Sequence, residues 1–185
     1  IVNPEESQRK AYHLTGVFPT IIAAFFRLRV GKEPIAPDMN LSQAANFLYM
    51  MTGEKPAPEM EKALDAYLIL LADHGLNAST FAARVTTGTL SNLYSAVTSA
   101  VGTLAGELHG AANQHAMEMI LEIGAADKAA SYVNRLLDEK KKVMGFGHRI
   151  YKTRDPRAEA FREIANNLCV KAGKTEWLEI AGIVE

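Results

Sequence analysis

Apolar residues recur three and four positions apart along most of the chain, a spacing that predicts helices almost throughout and makes the fold class all-α. Pro4, Glu5 and Glu6 have the composition of a helix start, and the first helix is expected to run through Leu14 until Gly16 and Pro19 break it. A second, Thr20 to Val30, carries Ile21, Ile22, Phe25, Phe26 and Leu28 and is expected to be largely buried. Gly31 to Asn40 reads as a surface loop. Helices follow at Leu41 to Met51, stopped by Thr52 and Gly53, and at Glu59 to Asp73.

Two helix ends then meet. Gly75 fits a C-terminal cap behind His74, and Asn77 supplies an N-cap with Ser79 and Thr80 in the next first turn. Residues 86–106 are crowded with Gly, Ala, Ser and Thr, which suits close packing in a bundle or across a subunit interface. Ala111 to Ile123 and Lys128 to Lys142 read as amphipathic helices, the second ending in three lysines that suit its C-terminus. Val143 to Gly147 reads as extended. Asp155 and Pro156 mark another helix start, with Ala158 to Lys171 and Lys174 to Val184 as the last helices.

Chemistry concentrates in two stretches. In GELHGAAN, residues 106–113, His109 lies between glycines at a helix start, where the positive end of the macrodipole disfavours a cationic ring and favours a neutral imidazole able to donate one hydrogen bond. The alternative is a polar residue merely tolerated there. In VMGFGHRIYKTRDPR, residues 143–157, two glycines flank Phe146 so that backbone groups can meet a flat ligand. Arg157 sits in a first helical turn, where a cation opposes the macrodipole unless an anion is bound. It is either an anion site or a solvated arginine.

Composition removes other classes. With 20 basic and 21 acidic residues and a net charge of −1, nothing favours nucleic acid or a membrane surface as partner. Cys169 is the one cysteine, so no internal disulfide forms and a reducing compartment is expected. The apolar runs are too short to span a bilayer. His109 and His115 lie about 240° apart round a helix and cannot share a metal from one face. No metal site is expected, and no G-x-S-x-G elbow supports a serine hydrolase. Ile1 is not an initiator methionine, and the chain reads as a fragment or a processed product.

The segments LADHGLNAST, GELHGAANQ and VMGFGHRIYKTRDPRA, in this order and at these separations, resemble the citrate synthase family, bacterial type. The resemblance covers nearly the whole chain. It implies part of a large helical domain with dimer-interface helices over residues 1–109, then a small helical domain over residues 110–185 that closes over the active site. It also implies condensation of oxaloacetate with acetyl-CoA to citryl-CoA, then hydrolysis to citrate and CoA, by a homodimer in a bacterial cytoplasm with no cofactor or metal. A 2-methylcitrate synthase using propionyl-CoA shares the motifs. A reading of another class is a non-catalytic dimerisation or binding module, against which the joint retention of His74, His109, His148 and Arg157 argues.

Carried over residue by residue, the resemblance makes His109 the histidine that hydrogen-bonds the thioester carbonyl as the acetyl group enolises, with Ser79 orienting it. His148 binds and protonates the oxaloacetate carbonyl, while His74 and Arg157 bind oxaloacetate. Val143, Gly145, Phe146 and Gly147 form the CoA loop, with Lys152 near a CoA phosphate. The family's proton-abstracting aspartate and two further arginines are expected beyond Glu185, so the fragment alone is expected to be inactive. Glu107, Ala111 and Gly75 depart from the family pattern, in which Pro, Gly and an acidic residue are usual.

Overall fold

A computed structural model describes residues 3–72, 75–146 and 155–185. Among these it holds nine helices and no strand: α1 (Pro4–Arg29), α2 (Gln43–Thr52), α3 (Pro58–Ala72), α4 (Ala78–Gly88), α5 (Leu93–Leu104), α6 (Ala112–Ile123), α7 (Ala126–Asp138), α8 (Pro156–Ala172) and α9 (Thr175–Val184). They form two compact units, one of Ile1–Leu76 with Arg84–Ala96 and one of Asn77–Ala83 with Val97–Glu185. The chain passes from one unit to the other within α4 and within α5.

In the first unit α1 packs on α2, and α2 on α3. Asn3 caps α1, its side chain accepting from the Glu5 N–H at 3.0 Å. One turn on, Glu6 takes a forked bond from Arg9 and an ion pair from Lys10, which hold its carboxyl down to about 2. The expected break at Gly16 and Pro19 is absent: α1 is one helix of 26 residues. A proline inside a helix withholds the N–H that would meet the carbonyl four residues earlier. That carbonyl belongs to Thr15, and Gln43 Nε2, at the start of α2, donates to it at 3.3 Å. A neighbouring helix thus replaces the bond that the sequence removes.

The expected burial of α1 is also corrected. Only Ala23 is buried on it, at 1% exposure, whereas Phe25 is 62% and Leu28 59% exposed, with Ile21, Ile22 and Phe26 exposed as well. Contact with α2 is made through small residues, Ala23 against a helix whose own buried residues are Ala44, Ala45 and Met50, so one narrow stripe of α1 is covered. An apolar groove of about 260 Å³ runs beside Pro19, lined by Phe18, Ile22, Phe47 and Leu68 among others. In one piece, α1 is long and apolar enough to cross a bilayer, although Glu5, Glu6, Arg9 and Lys10 crowd its first turns; a single such helix is weak evidence for a membrane. Pro19→Ala restores the helical bond at Thr15 and is expected to stabilise the whole protein by roughly 1–3 kcal/mol. Denaturant unfolding measures it, and a loss of stability would show that the proline ring is needed against the groove.

The second unit has its core where α6, α7 and α9 meet. Met119, Ile123, Ala129 and Ile180 are buried there, with Ala129 and Ile180 fully so, and Tyr132, Leu136, Val143 and Val184 pack around them. Ala129 gives α9 room to approach α7, and full burial of Ile180 contributes about 1.5–3 kcal/mol. α7 stops at Asp138, short of the expected lysine end. Lys140 takes a left-handed conformation with φ +53°, and Lys141 N–H bonds back to the Leu136 carbonyl at 2.8 Å. This closing turn frees residues 141–146 to leave the helix.

Candidate active site

The site elements described here all belong to the second unit. Asn77 caps α4 as expected: its Oδ1 accepts from the Thr80 N–H at 3.0 Å, and Gly75 before it has φ +62°. Ser79 therefore stands in the first turn of α4, half-buried. Its Oγ lies 2.8 Å from Nε2 of His109, thirty residues on. Among the described residues His109 Nδ1 has no hydrogen-bond partner, so the ring is held at one nitrogen and open at the other.

His109 sits in a tight turn between α5 and α6. Backbone bonds build the turn: Gly106 N–H to Thr103 O at 3.2 Å, His109 N–H to Gly106 O at 2.9 Å, Gly110 N–H to Leu104 O at 3.0 Å and Ala112 N–H to His109 O at 3.3 Å. The helix α6 that follows has no side-chain cap, and His109 is placed just ahead of its positive end. Ser79→Ala keeps this turn but frees the ring. It is expected to lower kcat of the whole protein about tenfold with substrate affinity unchanged; equal losses in both would assign Ser79 to substrate binding instead.

The segment expected to be extended is a turn. Phe146 N–H bonds to Val143 O at 3.3 Å, and Gly145 has φ +85°, the geometry of a type II turn in which glycine is favoured. It lies against α6: a Cβ at Gly145 would stand 3.1 Å from Ala116 Cβ. Beside the turn opens a cleft of about 450 Å³, which gathers Lys141, Lys142 and Met144, the 107–108 pair just before His109, and Glu118, Glu122 and Tyr132 from α6 and α7. Its lining mixes apolar side chains with both charges. Tyr132 donates to Glu122 at 2.7 Å, and burial, reinforced by that carboxylate, pushes its phenol pKa up. Gln114 and His115 bond Glu118 and lower its carboxyl pKa.

Arg157 enters α8 beside its cap. Asp155 Oδ1 accepts from the Arg157 N–H at 2.9 Å, and the same carboxylate takes Arg157 Nε at 3.0 Å and an Nη at 2.7 Å. Part of what offsets a cation at this helix start is thus Asp155 itself. The sequence reading used Asp155 only as a cap; its spacing two residues before the arginine was the signal of the second role. His115, Glu118, Glu122 and Tyr132 were not singled out as cleft residues, because the loop after α7 brings Lys141, Lys142 and Met144 to them. His74, Gly147, His148 and Lys152 lie outside the described residues. Among the described residues no group of three His, Cys, Asp or Glu side chains is arranged to hold a metal ion.

A serine that steadies a histidine next to a charged cleft in an all-α chain makes a candidate active site, and comparison with known proteins gives the family. Residues 2–185 match the family described as citrate synthase, C-terminal domain. The chain is 46% identical over 184 residues to citrate synthase 2 of Bacillus subtilis (strain 168), covering 100% of this chain and 50% of that protein. It is 45% identical over 172 residues to citrate/2-methylcitrate synthase of the same organism, covering 92% and 46%. Its fold is similar to a citrate synthase of Thermoplasma acidophilum solved with carboxymethyl coenzyme A and oxaloacetate, with TM-score 0.93, 35% identity and coverage of 99% and 49%. The chain belongs to the citrate synthase family. It spans about half the length of the curated relatives it matches.

Proposed function

We propose that the whole protein condenses oxaloacetate with acetyl-CoA and water to give citrate and CoA, with His109 as the hydrogen-bond donor to the thioester oxygen. The observation that carries this reading is the Ser79–His109 pair. When Ser79 O–H donates to Nε2, the ring proton lies on Nδ1, the nitrogen left open. A neutral Nδ1–H aimed at the thioester oxygen stabilises the negative charge that gathers there as the methyl proton leaves, without being cationic in the resting state. The family resemblance implies a carboxylate as the base for that proton. The enol carbon then attacks the oxaloacetate carbonyl, whose oxygen takes a proton from His148, and water hydrolyses citryl-CoA.

Arg157 and His74 hold oxaloacetate, the arginine through charge-assisted bonds to a carboxylate. The turn at Val143, Gly145 and Phe146 takes CoA, together with Gly147 and Lys152, and the cleft beside Met144 supports that placing through the apolar and lysine side chains that line it. Acetyl-CoA is a substrate here and CoA a product, and the chemistry calls for no metal or resident cofactor. The protein acts as a homodimer in the bacterial cytoplasm, a reading supported by the small residues of 86–106, which suit close packing across a subunit interface.

The relative named citrate/2-methylcitrate synthase supports propionyl-CoA as a second acyl donor. Specificity constants for the two acyl-CoAs on the whole protein separate the readings. Acetyl-CoA is expected to be preferred, and a higher constant for propionyl-CoA would make the protein a 2-methylcitrate synthase.

A further inference from the structure

The His109 turn is closed by one atom. A Cβ built on Gly110 would stand 2.4 Å from the Leu104 carbonyl oxygen, and 2.4 and 2.6 Å from Cδ1 and Cγ of the Leu104 side chain. The same carbonyl accepts the Gly110 N–H at 3.0 Å. A leucine side chain that is 47% exposed can swing away. A backbone carbonyl, fixed by the chain and already holding the Gly110 N–H, cannot, and contacts this short are far inside the van der Waals limit. Among the described residues no other glycine meets an atom so closely; at Gly106, in the same turn, the nearest is Thr103 O at 3.3 Å.

We infer that Gly110 is a positioning residue for His109: its missing side chain lets the turn close on the Leu104 carbonyl, and that closure sets the distance between the imidazole and Ser79. The clash, transmitted through one peptide bond, shifts the ring that Ser79 holds at 2.8 Å. Because a donor works only where the oxyanion forms, a displacement of about 1 Å costs on the order of 100-fold in rate while leaving ground-state binding nearly intact. The fit also assigns a reason to the order of residues in this turn. A glycine after His109 is required by a specific oxygen, whereas at Gly106 a Cβ would be tight against Thr103 O but about 0.9 Å less so.

The role in rate rests on the proposed condensation; the role in geometry does not, and the test reads them separately in the whole protein. Gly110→Ala is expected to lower kcat about 100-fold with oxaloacetate affinity within about threefold, and to move the imidazole nitrogen resonances of His109. The double variant Gly110→Ala with Leu104→Ala removes the leucine side chain but keeps its carbonyl, so activity should stay low. In the unaltered protein the Gly110 amide should exchange its hydrogen at least about 100-fold more slowly than an open chain, a readout that does not depend on any variant folding. Near-normal kcat in Gly110→Ala, recovery in the double variant, or an unprotected Gly110 amide each overturns the inference. If the unaltered protein makes no citrate yet the His109 resonances move in Gly110→Ala, the positioning stands and the reaction assigned to His109 falls.

Discussion

Replacing His109 by alanine in the whole protein is expected to lower kcat about 1,000-fold and to leave oxaloacetate affinity within about threefold. The separation follows from when the charge appears. In the ground state the thioester oxygen is a weak acceptor, so Nδ1–H adds little to binding. In the transition state that oxygen takes the charge of the departing methyl proton, and the donor acts at full strength. Alanine also leaves Ser79, half-buried, without its imidazole partner, a loss of about 1 kcal/mol that falls on stability rather than on substrate binding. Steady-state kinetics with both substrates varied, set beside calorimetric oxaloacetate binding, measure the split. Parallel losses in kcat and in affinity would make His109 a substrate-binding residue.

Arg157→Ala is expected to show the opposite signature, with oxaloacetate binding weakened about 100-fold, close to 3 kcal/mol, and acyl-CoA affinity unchanged in the substrate-saturated enzyme. The substrate carboxylate loses its charge-assisted partner. Arg157→Lys keeps the charge but loses the planar fork, so it should recover only part of the affinity. Calorimetry on the two variants gives the comparison. Unchanged oxaloacetate affinity in Arg157→Ala would confine the arginine to its pairing with Asp155 and remove it from the site.

What was legible in the sequence is what a few neighbouring residues decide. Asn77 and Asp155 cap because their side chains reach a backbone N–H two or three residues on, and Gly53 ends a helix because it takes a positive φ. The two motif stretches were likewise recognisable as dense runs. Their meeting was not: Ser79 reaches His109 across thirty positions, and no local pattern shows that the gap closes to 2.8 Å.

Other features misled for the same reason. Pro19 broke a helix on paper because the donor that compensates for it, Gln43, lies 28 residues from Thr15. Burial of Phe25 and Leu28 was read from their chemistry alone, while the neighbouring helices cover only the Ala23 stripe of α1. The lysine run was read into α7 since lysine suits a helix end, but Lys140 turned left-handed and ended the helix first. At Val143 to Gly147 the two glycines that flank Phe146 suggest an extended segment that exposes its backbone. Gly145 instead takes the one turn position that a side chain would resist, with α6 against it.

The most direct measurement is oxaloacetate-dependent release of free CoA thiol from acetyl-CoA by the whole protein, with the acid product identified by mass spectrometry. Citrate and CoA in equal amounts, with no thiol released when oxaloacetate is omitted, is the predicted result. Thiol release that does not require oxaloacetate, or none in its presence, would contradict the condensation and leave the Ser79–His109 pair to some other chemistry.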